Sequence, residues 1–389
     1  MNLHEYQAKA LLRDRGIPIP RGAVASTPEQ ARARAEELGG DSWVVKAQVH
    51  AGQRGKAGGV KIVDSVDAVA AAAKAMLGKR IVTGHTGREG LAVRNVYVEE
   101  ACKVAREIYA AVLVDRREAR VSVIIAREGG AAVEEKLALP ENLIDAPVGP
   151  DGLDAAGINL LAGELEMSAG RAALLGRILA QARNAFIELD ASLIEFNPLA
   201  VTESGDFAAL DVKMVLDDNA LGRHPELQAL RDEDEVDPQE READRFELNY
   251  ARLDGNIGLM TTGAGLGLAA IDMIVEEGGE AANFMDVRPM ASRDQVAEGI
   301  MLLLRDSRVR VVMVVAMGGG ILHCDTIAEG IAASYRKSGT AIPVVFHAAG
   351  TGKEISELTL RNQGIPVAFA DSIGEAAREA VRIAGSAGG

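Results

Sequence analysis

The sequence predicts an α/β protein of two domains, the second built on a doubly wound parallel sheet. Three features lead there: a length of 389 residues, 42 glycines beside only 3% aromatic residues, and an alternation of Val- and Ile-rich runs with helical stretches after residue 250. Domains hold about 100 to 200 residues each, so this length asks for more than one core. Abundant glycine serves tight turns, and strands alternating with helices of ~12 to 18 residues imply crossover connections and hence parallel pairing.

The elements follow in order. Residues 4–15 read as a helix ending at Gly16, ahead of Pro18 and Pro20. A second helix starts at Thr27-Pro28, an N-cap followed by proline at the first helical position. The strand WVVKAQV leads into QVHAGQRGKAGGVKIV, too rich in glycine for a helix and too regularly basic for a passive linker. Three β-rich runs occupy residues 96–126, with DRREAR as a hairpin turn between the last two. A helical stretch over 165–189 precedes a second hairpin made of LIEFNPLAV, ESG and DFAALDVKMVL. The charged run RDEDEVDPQEREADRFE, read as a linker or a solvated helix, places the domain boundary near residue 240. Beyond it come IGLMTT, NFMDV, VRVVMVVAM, IPVVFHA and IPVAFA, each followed by a helix. Ligands of such a sheet belong at the carboxyl ends of its strands, here TTGAG, DVRPMAS, MGGGILHCD and HAAGTGKE.

The net charge of −15 argues against nucleic acid as a partner, because phosphate-backbone binding needs a basic face. Any anionic ligand must therefore be held by a local cluster. Only Cys102 and Cys324 are present, without metal-ligand company, so neither a disulfide framework nor a thiolate metal site is expected and a cytoplasmic setting is favoured. No stretch reaches the ~20 apolar residues of a membrane span, and the first residues lack the apolar centre of a secretory signal. GAGLG at 263–267 is half a dinucleotide fingerprint, but Leu268 replaces its third glycine, which removes the NAD reading. The six histidines, at 4, 50, 85, 224, 323 and 347, sit in no recognisable nucleophile motif, and surface or capping roles are expected for them.

Two segments carry candidate chemistry in the first half. Lys46 ends a strand just before the Gly-rich loop, with Arg54, Lys56 and Lys61 following. Inward-pointing amides together with cations suit a polyphosphate, although a solvated basic loop is the simpler reading of this segment alone. In the second hairpin, a three-residue turn at Glu203-Ser204-Gly205, with Gly205 left-handed, pairs Asn197 with Asp211 and Glu195 with Lys213. Opposite residues share a face, so these four project together while Ile194, Phe196, Leu210 and Val212 take the apolar side. Two carboxylates and an amide oxygen suit a hard cation such as Mg2+. An exposed polar face with a Glu195–Lys213 cross-strand pair is the competing reading. In the second half, Gly318-Gly319-Gly320 runs from a buried strand into a helix near Cys324, a turn type that offers N–H groups to an anion.

The order MNLHEYQAK, WVVKAQVHAGQRGKAGG, LGKR with IVT, LIEFNPLAV, DDNAL, ELNYARLDGNIG and GEAANFMDV resembles, over essentially the whole chain, the beta subunits of the succinate–CoA ligase family and their malate–CoA ligase siblings. The resemblance implies an ATP-grasp domain over 1–240 and a flavodoxin-like CoA-ligase domain over 241–389. It implies that Lys46, Gln53, Arg54, Gly55, Glu99, Cys102 and Glu107 bind nucleotide, that Asn197 and Asp211 hold Mg2+, and that Glu195 lies beside the phosphoryl-transfer site. ATP would phosphorylate a histidine of a partner alpha subunit, the group would pass to a small carboxylic acid, and CoA, bound mainly on the partner, would attack the acyl phosphate. Pro20, where ATP-using relatives place a small apolar residue, favours ATP over GTP.

Thr262, Gly320, Ile321 and Leu322 are the corresponding acid-site positions, and here the chain departs from the family. Thr262 stands in place of the usual Asn, DVRPMAS replaces a Gly run, Gly318 and His323 replace Phe and Arg, and HAAGTGKE replaces an Arg-rich strand end. Losing a permanent cation at His323 while Arg288 adds one nearby predicts a rebuilt acid pocket, for which malate, itaconate or a sulfo-acid competes with succinate. A non-catalytic nucleotide sensor and a stand-alone ATP-grasp ligase are the rival readings. The intact Lys46, Glu195, Asn197 and Asp211 oppose the first, and the flavodoxin-like second half opposes the second.

Overall fold

A computed structural model describes the chain apart from residues 85, 87–89, 131, 132, 134–141 and 387–389, so His85 lies outside the described residues. The chain folds as two compact units, Met1–Glu235 and Val236–Gly389.

In the first unit, α1 (Glu5–Arg13) begins at His4, whose backbone N–H donates to Gln7 Oε1 at 2.9 Å. β1 (Gly22–Ala25) leads to α2 (Pro28–Leu38), capped by Thr27, whose hydroxyl accepts from Gln30 N at 3.1 Å. β2 (Trp43–Gln48) and β3 (Val60–Val63) flank the Gly-rich loop. α3 (Val66–Met76) and a ribbon of β4 (Arg80–Ile81) with β5 (Leu91–Ala92) precede β6 (Asn95–Glu100). The antiparallel sheet runs β1-β6-β2-β3. Residues opposite one another share a face, so Trp43, Val45, Ala47, Val96 and Val98 enter a core while Lys46, Tyr97 and Glu99 line the other side.

A second antiparallel sheet follows. It holds β7 (Val104–Asp115), β8 (Arg120–Ala126) and β9 (Leu143–Ala146), then, after α4 (Ala155–Glu164) and α5 (Ala169–Glu188), β10 (Ala191–Thr202), β11 (Phe207–Ala209) and β12 (Val212–Leu216). β10 is the axis, pairing β7 on one side and β11 and β12 on the other. Its hairpin has the expected register: Val201 faces Phe207, Glu195 faces Lys213, and Gly205 closes the turn at φ 89°. Ile194, Phe196 and Val212 are buried in the core that α1, α4 and α5 cover, together with Ile108, Ala110 and Val112 of β7. The return strand is broken at Leu210-Asp211, which the sequence pattern did not foresee. On the β7 side the register slips by one residue between Phe196 and Leu199, a bulge at Asn197-Pro198.

In the second unit the charged stretch contains a short helix, α6 (Pro238–Asp244), capped by Asp237 and burying Ala243. Then come β13 (Asn249–Arg252), β14 (Ile257–Thr261), α7 (Ala264–Glu276), β15 (Asn283–Asp286), α8 (Arg293–Arg305), β16 (Val311–Gly318), α9 (Cys324–Ser338), β17 (Val344–Gly350), α10 (Lys353–Asn362), β18 (Val367–Ala370) and α11 (Ile373–Ser386). The sheet order β13-β15-β14-β16-β17-β18 places the parallel strands in the flavodoxin-like order second, first, third, fourth, fifth. Only the edge strand β13 departs from the expected parallel pairing, running antiparallel to β15. Val312, Val314 and Ala316 point into one core and Val311, Met313 and Val315 into another, which is why this strand reads as an unbroken apolar run.

Candidate functional site

The first unit gathers its charged residues where the two sheets and α1 meet. Lys46 Nζ lies 2.9 Å from Glu5 Oε1 and 2.7 Å from Glu99 Oε2, and also donates to the Leu210 carbonyl. Lys9, one turn after Glu5, pairs with both carboxylates and donates to the same carbonyl at 2.7 Å. Arg54, from the Gly-rich loop, grips Glu5, reaches Asp211 Oδ1 at 2.9 Å and donates to the Ala47 carbonyl at 2.8 Å. Three acids thus face three bases. The break in the return strand has a use here, since Leu210 turns its carbonyl to the two ammonium groups.

The electrostatics follow from burial opposed by charge. Desolvation alone would raise the pKa of Glu5, but Arg54, Lys46 and Lys9 hold its carboxyl well below the usual range. Burial would lower Lys46 and Arg54, yet Glu5 and Glu99 push the first up and Asp211 and Glu5 the second. A buried ion network adds little net stability, because desolvation offsets the Coulomb gain, but it fixes geometry. Lys46 is therefore held in one place.

On the outer face of the second sheet, Asn197 Oδ1 accepts from Gly130 N at 2.7 Å. A Cβ placed on Gly130 would fall 2.6 Å from Glu107 Oε2, so Glu107 and Asn197 are close neighbours. Glu195 pairs with Ala111 of β7, two residues along from Tyr109, whose hydroxyl is pushed up by burial first and then by the charge of Glu195. Residues 18–20, 39–42, 100–102 and 207–208 line a cleft of about 490 Å³ that includes Pro20 and Cys102, within the range of small-molecule sites. Gln53 carries a positive φ of 59° at the head of the loop, and Gly55 is exposed.

Asn197 and Asp211 offer hard oxygen donors, and Asp211 already draws a guanidinium, so the position favours a cation. The pair fits Mg2+, which takes few protein ligands. Sequence reasoning missed Glu5 and Lys9. Their i, i+4 spacing was visible, but ordinarily marks an exposed helical pair.

At the rim of the second unit, the strand order reverses between β14 and β16, the usual ligand crevice of such sheets. Thr262 Oγ1 accepts from Met317 N at 2.8 Å and so ties these strand ends together. Gly320 and Ile321 are exposed, whereas Leu322 is buried in the core. The turn is partly self-satisfied: Gly319 N donates to the Leu322 carbonyl at 2.9 Å and Cys324 N to the Thr351 carbonyl at 3.0 Å. His323 Nδ1 lies 3.8 Å from Asp325 Oδ1.

The two units, one with a buried cluster of cations and the other flavodoxin-like, are of the ATP-grasp and CoA-ligase classes of domain. Residues 2–201 match the ATP-grasp domain model and residues 260–382 the CoA-ligase model. The chain belongs to the family of succinate–CoA ligase [ADP-forming] beta subunits. It is 44% identical over 389 residues to the one from Anaeromyxobacter dehalogenans, covering all of both chains. It is 45% identical over 386 residues to that of Acidithiobacillus ferrooxidans, covering 99% of this chain and all of the relative. ATP citrate lyase from Methanothrix soehngenii, solved with citrate and coenzyme A, shares the fold at TM-score 0.74 and 16% identity, over 98% of this chain and 99% of the other.

Proposed function

We propose that the chain is the nucleotide-binding subunit of an ADP-forming acid–CoA ligase: ATP + acid + CoA gives ADP, phosphate and acyl-CoA. The observation that carries this is the convergence of Lys46, Arg54, Asp211 and Asn197 beside the cleft lined by Pro20 and Cys102.

The cleft takes the adenine, and Lys46 and Arg54, with the amides of the Gln53–Gly55 loop, take the phosphates. Asn197 and Asp211 would hold Mg2+, which when bound neutralises charge on the phosphoryl oxygens. Arg54 then exchanges Asp211 for phosphate, while Glu5 and Glu99 keep Lys46 aimed and Glu195 orients the accepting group. The terminal P–O bond of ATP breaks, ADP leaves, and an imidazole nitrogen of an alpha partner receives the phosphoryl group. It then passes to the acid carboxylate, and CoA thiol displaces phosphate from the acyl phosphate. The carboxyl rim of the second unit, with Met290, Met317 and Ile321 exposed, is the surface offered to that partner and to the acid.

The direct test is to co-produce the chain with its alpha subunit and measure ADP release that depends on acid and CoA. Release by the complex, lost in Asp211→Asn, supports the reading; full activity of that variant overturns it.

A further inference from the structure

Outside the nucleotide site, three segments distant in sequence converge at a second cluster. His4 precedes α1, His50 follows β2, and Asp232 and Glu235 close the first unit. His4 Nε2 lies 2.8 Å from Asp232 Oδ2. The His4 and His50 rings are 4.3 Å apart between centroids. Glu235 Oε2 accepts from the His50 backbone N–H at 3.1 Å and stands 3.9 Å from its Nδ1. One ligand atom from each of His4, Asp232 and Glu235 lies within 4.8 Å of the others.

Two features set this cluster apart from an ordinary histidine–aspartate pair. His4 has a side chain only 2% exposed, yet its Nδ1 has no hydrogen-bond partner, and His50 Nε2 is buried and equally unpartnered. Buried polar atoms are nearly always satisfied, so two orphan imidazole nitrogens in one place need a reason. Glu235, with a side chain 5% exposed, adds a buried carboxylate beside that of Asp232, which is 23% exposed. Arg94 lies 3.2 Å from Asp234, and its charge also acts on Glu235.

We infer that His4, Asp232 and Glu235 form a binding site for a first-row divalent cation of the Zn2+ type, with His50 the nearest further donor. Tetrahedral zinc ligands stand about 3.4 Å apart, given bonds of ~2.0 to 2.2 Å, so on binding the 2.8 Å His4–Asp232 pair would open while the wider separations, all within 4.8 Å, would close. Imidazole with carboxylate favours Zn2+ or Co2+ over Mg2+, which separates this site chemically from the oxygen-only pair Asn197 and Asp211. The cation would staple the start of α1 to the end of the first unit, where Glu235 also accepts from the His50 backbone N–H ahead of the Gly-rich loop. Because His4 adjoins Glu5, it would steady the helix that holds Lys46 and Arg54.

The test uses the purified full-length chain, stripped with chelator and titrated with Zn2+ in excess Mg2+, with bound metal measured by plasma emission. The expected result is a single Zn2+ per chain, a visible Co2+ absorption band typical of low coordination, and a melting temperature that rises with Zn2+ concentration. Asp232→Asn with Glu235→Gln, which leaves the α1 cap untouched, should weaken Zn2+ binding by at least about tenfold. Asn197→Ala with Asp211→Asn should leave it unchanged. If no stoichiometric Zn2+ is retained, or the Asp232/Glu235 double variant binds as well as the parent, the cluster is a hydrogen-bonded histidine–carboxylate pair only and the inference falls.

Discussion

At the scale of single residues, Asp211 and Glu5 do different work although both touch Arg54. Asp211 has a side chain 40% exposed on a polar face, so replacing it leaves the core intact. Asp211→Asn or Asn197→Ala should therefore raise the Mg–nucleotide dissociation constant by about tenfold or more while the melting temperature changes little; calorimetric titration at low Mg2+ reads this directly. Glu5 is buried and faces three cations. Glu5→Gln strands those charges and should cost about 3 kcal/mol of stability, measured by urea unfolding. The pH dependence has a definite sign. With the folded-state carboxyl held low, the unfolded chain binds more protons through the ordinary carboxylate range, so the Glu5 contribution is complete above that range and is lost as pH falls through the lower folded value. Glu5→Gln should flatten the acid limb of the stability curve.

At the scale of elements, the hairpin and the strand-to-helix turn constrain glycine in different ways. Gly205 meets the register demanded by a three-residue turn and sits at positive φ. Gly318 is constrained by packing: a Cβ there would lie 2.1 Å from the Thr351 carbonyl oxygen, a backbone atom that cannot swing aside. Gly318→Ala should thus cost about 1 to 3 kcal/mol by forcing β16 and the loop after β17 apart. The expected signature is faster amide exchange at Cys324 and Thr351, whose N–H groups bond across this junction. Position 318 is, in this chain, closed to any side chain.

At the scale of the whole molecule, membership of a family of beta subunits implies an alpha partner. The isolated chain should bind ATP yet form no acyl-CoA, with turnover appearing only when the alpha subunit is added; robust turnover by the pure chain would contradict this. The proposed acid pocket belongs to the same scale. His323, 43% exposed and facing Asp325, supplies no permanent cation at that rim, while Arg288 is exposed in the neighbouring loop. In a panel of succinate, malate, itaconate, sulfo-acids and short monoacids, the complex should prefer an acid other than succinate; highest kcat/KM for succinate would show the departures to be neutral.

Much of this was determined by sequence alone, and the reason is locality. Thr27-Pro28 starts a helix, Glu203-Ser204-Gly205 sets a register, and that register places Glu195 opposite Lys213 whatever the rest of the chain does. The alternation of strands and helices likewise requires a parallel sheet, because each crossover is a short-range event. What folding alone decided lies in contacts between distant segments. Lys9 and Glu5 look like an exposed helical pair until the first sheet brings Glu99 against them, 90 residues away for Lys9. Leu210 looks like one more apolar strand residue until the break in its strand turns its carbonyl toward Lys46 and Lys9. His4, His50, Asp232 and Glu235 share no local pattern and meet only because the end of the first unit returns to its beginning. Side-chain periodicity carries information over a few residues, whereas burial of charge depends on which surfaces meet, and that is a property of the assembled chain.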